Sequence, residues 1–228
     1  MTIDPARTLA GQQISRTTMQ ALSGDESLIF LRCCFDNVDL SNLEFRETIF
    51  DSCSFRSTTF ERTDLTGARF LSCHGGEASF ADSELVDARI LSGDFNNAGF
   101  TRARLTSTAF EQCKLTGADF SEATTNGLVF KEALLRYAIL PGVSFAKASL
   151  FRVDFSDADL RECDFRYADF IESSLRNANL TGCRFTGADL RGADLGGIRL
   201  TNANSLAGAT ISLAQASDLL AELGLSVR

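Results

Sequence analysis

The chain has 228 residues, 44% of them hydrophobic, with 22 basic and 30 acidic side chains and a net charge of −8. That length suits one extended domain, and the acid excess argues against direct nucleic-acid binding, which takes clustered Lys and Arg. No apolar run approaches the eighteen residues of a membrane span, and seven cysteines without a CxxC pair suggest neither a disulfide framework nor a thiolate zinc site.

Residues 1–27 stand outside the pattern that governs the rest. Their start, MTIDPARTLAGQQ, lacks the basic-then-apolar layout of a secretory signal, so a cytoplasmic protein with reduced thiols is expected. Ile14 and Met19, five apart, either centre one or two offset coils or belong to a short helical cap.

From Phe30 to Leu200 every fifth residue is apolar. Of these 35 positions 18 are Phe, 14 are Leu and one is Ile; only Gly75 and Thr125 fall outside the set. On a helix, residues five apart are rotated by about 140°, and on a straight strand they point to opposite faces, so neither element gathers them on one side. A chain that turns a corner every five residues does. The residue two before the centre is small almost throughout (Ala68, Ala98, Ala118, Ala158) and forms a second inward position. Cys33, Cys53, Cys73 and Cys113 occupy it at twenty-residue steps with Gly93 in the gap, and Cys163 and Cys183 repeat the spacing, which favours four sides per coil. Glycines two after the centre (Gly67, Gly117, Gly182, Gly187, Gly192) suit corners with positive φ.

Segments such as ADFSE (118–122), ADLRE (158–162), ADFIE (168–172), ADLRG (188–192) and ADLGG (193–197) resemble the A(D/N)LXX unit of pentapeptide-repeat proteins. That resemblance implies an all-β fold, a right-handed quadrilateral β-helix of about nine coils and about 42 Å at about 4.8 Å per coil. The expected division is a non-repeat segment or cap at 1–27, the β-helix at 28–202, and a C-terminal segment at 203–228.

Within that last segment the pattern becomes helical over 211–224. Ser212 with Gln215 resembles a capping box, Leu213, Ala216, Leu220 and Leu223 form a stripe, and Gly224 can stop the helix. The ending is similar to that of the Qnr and MfpA group, fluoroquinolone-resistance proteins that act on DNA gyrase. The resemblance implies a homodimer joined through Leu213, Ala216, Leu219, Leu220 and Leu223; the bland alternative is a cap on the last coil. Members often carry projecting loops, and an insertion of a multiple of five could hide near Cys73–Glu77 or Ala123–Gly127.

His74 is the sole histidine and suits a surface corner; stacked cysteines suit core filling. With no second histidine and no phosphate-cradling loop, a non-enzyme without cofactor or metal is expected. Sorted onto four sides, the side centred on 40, 60 through 200 carries Asp39, Glu61, Asp82, Asp119, Glu122, Asp159 and Glu162 against four Arg, and the side centred on 35, 55 through 195 carries Asp94, Asp154 and Asp157 among six acids against four bases. The group resemblance implies that such acids imitate duplex DNA on the basic saddle of gyrase or another type II topoisomerase. The competing expectation is an interaction scaffold using the near-neutral side, where Leu71, Leu91, Phe151 and Ile171 sit outward; that stripe is either a partner site or is covered by the N-terminal segment.

Overall fold

The computed structural model describes residues 8–24, 28–198, 206–222 and 224–225. The chain forms a right-handed quadrilateral β-helix with a short C-terminal helix, and it divides into two compact units, residues 1–129 and 130–228.

Each five-residue unit makes one side of a coil. The amide of the residue after the small position and that of the centre bond to the coils on either side, as Ser54 to the Cys33 carbonyl (3.0 Å) and Phe55 to that of His74 (2.6 Å). The corner is closed by a local turn such as Thr58 N–H to Phe55 O (3.1 Å). From Arg32 to Gly197 every residue two past a centre has a positive φ except Gly192, and twenty-six of the described ones are not glycine. The left-handed conformation costs an L-residue about 1–2 kcal/mol; the ladder bonds on both sides of each corner offset it. Gly192, expected at such a corner, instead permits close approach, since a Cβ there would lie 3.0 Å from the Phe170 carbonyl oxygen.

In the first unit the strand side consists of β1 (Thr8–Ala10), β2 (Ile29–Leu31), β3 (Ile49–Asp51), β4 (Arg69–Leu71), β5 (Arg89–Leu91) and β6 (Ala109–Glu111), all parallel neighbours. Going round each coil, the second, third and fourth sides pair through single residues, for example Ser54 with His74, Thr59 with Ser79 and Asp64 with Glu84. The core is a set of ring columns: Phe30, Phe50 and Phe70 stack at 5.3 and 4.9 Å, and Phe60, Phe80, Phe100 and Phe120 at 4.7, 5.0 and 4.9 Å. Gly75 breaks the second-side column for a steric reason. The Phe95 ring fills the room that Gly75 and Gly93 leave, so that a Cβ on either would meet it at 2.3 or 2.6 Å. The pairing of His74 with Ser54 and Asp94, and of Thr124 with Arg104, keeps the twenty-residue step, so no insertion hides at either suspected place.

The N-terminal residues combine both expected alternatives. β1 lies on β2 with Leu9 opposite Phe30, a step of 21, and Ile14 is buried beyond it. Then α1 (Arg16–Leu22), capped by the Ser15 hydroxyl, replaces a side and buries Met19. Arg16 reaches the carbonyl oxygens of Asp39 (2.5 Å) and Ser41 (3.2 Å).

β7 (Val129–Lys131) falls at the division between units. In the second unit β8 (Ser149–Phe151) pairs with β9 (Asp169–Ile171), and Phe145, Phe165 and Phe185 stack at 5.1 and 4.9 Å. Thr210 closes the stack on Asp189, again a step of 21, and α2 (Leu213–Glu222) follows. The capping box forms as read: Gln215 N–H bonds the Ser212 hydroxyl at 3.2 Å and Ser212 N–H bonds Gln215 Oε1 at 2.7 Å. Gly224 at φ 76 ends the helix, with Leu225 N–H bonded to Leu220 O.

Candidate interaction faces

Among the described residues the inward positions are apolar or carry thiols and hydroxyls bonded to the backbone. Buried Cys53, Cys73, Cys113, Cys163 and Cys183 each donate Sγ–H to the carbonyl 23 residues earlier, as Thr58, Thr63, Thr108 and Ser173 do with their hydroxyls. Burial pushes the Cys113 thiol up to about 11, which removes the thiolate that reactivity needs. What the protein can do therefore lies on its outer sides and its ends.

The ten acids singled out from the sequence do not form one set. Asp39, Asp82, Asp94, Asp157 and Asp159 each have a basic partner: Arg16 (3.0 Å), Arg102 (2.8 Å), Lys114 (3.6 Å), Arg136 (3.7 Å) and Arg161 (2.6 Å). The Arg102 fork on Asp82 and the Arg161 fork on Asp159 hold both carboxyls below the usual range. Asp39, Asp119, Asp154 and Asp159 also accept the amide two residues ahead, at 2.8–3.3 Å, and so fasten corners. Among the described residues Glu61, Glu122 and Glu162 have neither role.

Charge is distributed unevenly along the chain. Residues 1–129 hold 18 acids and 11 bases, while residues 130–228 hold 12 and 11. In the first unit the third side carries five acids and two bases, and the adjoining fourth side, centred on 45 through 125, carries Glu44, Glu47, Asp64, Glu84 and Asp87 against Arg46 and Arg104. These five fourth-side acids were missed from the sequence because that side sums to six acids and five bases over the whole chain; dividing the sum along the chain exposes them. Arg46 pairs with Asp64 (2.6 Å) and Arg104 with Glu84 (3.0 Å). Glu44, Glu47, Glu61, Asp87, Asp119 and Glu122 have no basic partner among the described residues.

The strand side is different. Leu91, Val129 and Ile171 are exposed at 39%, 46% and 43%, while Leu71 and Phe151 are half-buried by their neighbours. The described N-terminal residues lie on the end of the stack through β1 and α1 and not over this side.

At the C-terminal end, Gln215 Nε2 donates to the carbonyls of Leu190 (2.6 Å) and Ala193 (2.8 Å), so α2 covers edge groups that no further coil pairs. Leu219 is buried against its own chain beside Leu206, Ala209 and Ile211. Ala216 and Leu220 are half-buried, Leu213 is 90% exposed, and Leu223 lies outside the described residues. No described helix is long and apolar enough to cross a membrane.

Comparison with known proteins agrees with this architecture. Residues 49–120 match the family described as pentapeptide repeat region, and residues 129–166 and 168–204 match pentapeptide repeats. Full-length QnrB1, described as a plasmid-mediated fluoroquinolone resistance protein, aligns over 96% of this chain and 97% of its own, with a TM-score of 0.65 and 22% identity. A trypsin-treated QnrB1 variant aligns over 97% of both chains with the same score and identity. Identity at this level speaks for a common fold. No curated protein matches the sequence.

Proposed function

The chain belongs to the pentapeptide-repeat family, and from that premise we propose that it is a non-catalytic protein that binds DNA gyrase or a related type II topoisomerase as a local mimic of DNA and modulates it or protects it from a poison such as a fluoroquinolone. The observation that carries this reading is the acidic face of the first unit. Its third and fourth sides hold ten acids and four bases, a net of −6. These charges lie on five successive coils, about 19 Å at about 4.8 Å per coil, over which one strand of DNA carries about six phosphates at one per 3.4 Å. Such a surface suits a basic groove shaped for a nucleic-acid backbone. The likeness to QnrB1 supports the choice of target through that protein's association with fluoroquinolone resistance. The partner is a protein, and α2 joins two copies into a homodimer through its exposed face at Leu213, with Ala216 and Leu220 beside it.

The test is a gyrase supercoiling and drug-induced cleavage assay over a titration of the protein. The wild type should change one or both. A variant with Glu44, Glu47, Glu61 and Glu122 replaced by Gln should lose the effect, whereas Glu162→Gln should keep it. No response to wild type at several-fold excess refutes the topoisomerase reading, and a full response from the four-fold variant refutes the mimic.

A further inference from the structure

On this solenoid, basic side chains are repeatedly matched one coil away, twenty residues along the chain. Arg102 faces Asp82 (2.8 Å), Arg104 faces Glu84 (3.0 Å), Lys114 faces Asp94 (3.6 Å), Arg152 faces Glu172 (2.8 Å) and Arg184 faces Asp164 (2.9 Å). The match is not universal: among the described residues of the first unit Arg32, Arg56, Arg62, Arg69 and Arg89 have no carboxylate partner. Arg69 and Arg89 differ from the other three in being register partners, on β4 and β5, with both side chains exposed. Two like charges directly opposite each other destabilise a sheet. Carboxylates do stand on this side, Asp51 opposite Leu71 and Glu111 opposite Leu91, yet the register places Ile49 and Ala109, not a carboxylate, on the outer flanks of the arginine pair. On the same strands Leu71 and Leu91 are also register partners and face outward.

We propose that this two-by-two patch, Arg69 and Arg89 beside Leu71 and Leu91, is a docking site for an extended protein segment that alternates carboxylate and apolar side chains. An extended chain presents same-face side chains about 6.6–6.8 Å apart, the step that separates Arg69 from Leu71 along β4. Each guanidinium offers a fork of donors matched to a carboxylate, and the leucines supply apolar contact of the kind that marks partner sites. Polyanions with many phosphates are disfavoured, because the unit's acid excess repels them at long range while a short segment needs only two carboxylates. This site lies on a different side from the acidic face and stands or falls apart from the topoisomerase reading.

Two measurements on the full chain test it. Arg89→Glu places a carboxylate one coil from Arg69 and should raise the thermal midpoint by a degree or more; a lower midpoint overturns the claim that the pair is frustrated. Fluorescence anisotropy at about 0.15 M salt, where exposed charges are screened beyond about 8 Å, then compares a labelled peptide alternating Glu and Leu with one alternating Lys and Leu. The Glu peptide should bind wild type, weaken at least tenfold on Arg69→Glu/Arg89→Glu, and be indifferent to Glu122→Gln. Failure of the Glu peptide to bind, or equal binding by the double variant, overturns the proposal. Stronger arginine-dependent binding to vesicles of anionic lipid than to the peptide also overturns it, in favour of a membrane surface.

Discussion

Replacing Gly75 by Ala isolates the steric fit of the one core column that lacks its ring. The added Cβ would stand 2.3 and 2.4 Å from two carbons of Phe95, where carbon atoms settle at about 3.5–4.0 Å, an overlap above 1 Å. The ring cannot retreat freely. Phe70 and Phe80 hold it at 6.1 and 6.0 Å, and its far edge already fills the space above Gly93. Overpacking of this kind costs about 1–3 kcal/mol, and the enclosed ring puts Gly75→Ala toward the upper end. Gly99 is the internal control: its Cβ would meet nothing within 4 Å, so Gly99→Ala should lie within about 1 kcal/mol of wild type. Urea unfolding followed by circular dichroism gives both values, with the denaturant slope checked because repeat arrays can unfold in parts. Shortening the ring should restore room, so Gly75→Ala with Phe95→Leu should cost about 1–2 kcal/mol less than the two changes summed. If Gly75→Ala matches Gly99→Ala, or the double variant is additive, the account of the missing ring is wrong.

Gln215→Ala removes the capping box, leaves the Ala193 carbonyl unpaired and the Leu190 carbonyl with the Ala193 N–H alone; it should cost about 1–2 kcal/mol and speed hydrogen exchange at Thr210 and Leu190, whereas unchanged exchange there would show that α2 does not secure the edge. Arg166 and Arg184 together hold Asp164 below the usual carboxylate range. A depressed folded pKa stabilises above the unfolded value of about 3.9 and is lost as pH falls through the folded pKa, so Asp164→Asn should flatten the stability profile below about pH 4 and leave its shape above that unchanged. Leu213→Asp changes a residue that is 90% exposed and so spares the fold; light scattering should report a monomer, and an undiminished dimer mass would place the contact between copies elsewhere.

The repeat was legible because one inward position recurs without slippage for 171 residues and the cysteine columns separate four sides from three. Both ends were less legible for one physical reason. β1 and Thr210 pair at a step of 21, so a single extra residue moves Leu9 and Thr210 out of the register that identifies everything between them. The local roles of the acids were hidden for a different reason. An Asp directly before a centre looks like any solvated carboxylate in the sequence, yet Asp39, Asp119, Asp154 and Asp159 spend part of their hydrogen-bonding capacity on the corner amide two residues ahead. Distinguishing them from Glu61 or Glu122 requires the turn geometry, in which the side chain of the residue before the centre reaches forward to the corner amide.

This division of labour explains how such a fold can carry interaction sites on its outer sides. Centres and small positions fill the core, and the corner tolerates Arg, Glu, Ser, Asn or Tyr alike in the left-handed conformation because backbone bonds hold it. Outward residues are therefore nearly independent of folding, and the default that stability favours is a charge matched one coil away, as in Asp82 with Arg102 and Glu84 with Arg104. Departures from that default cost stability and bring the isolated chain nothing. On the first unit such departures are spread over several sides, Asp36, Asp51, Glu77, Glu111, Arg32, Arg56 and Arg62 among them; two groups of opposite sign are concentrated, six unmatched carboxylates on the third and fourth sides and the Arg69–Arg89 pair on the strand side. Where unmatched charges of one sign are concentrated, a partner of the opposite sign can supply the missing pairing, and that is the common physical basis of the two proposed partners, a basic groove for the acidic face and a carboxylate-bearing segment for the arginine pair.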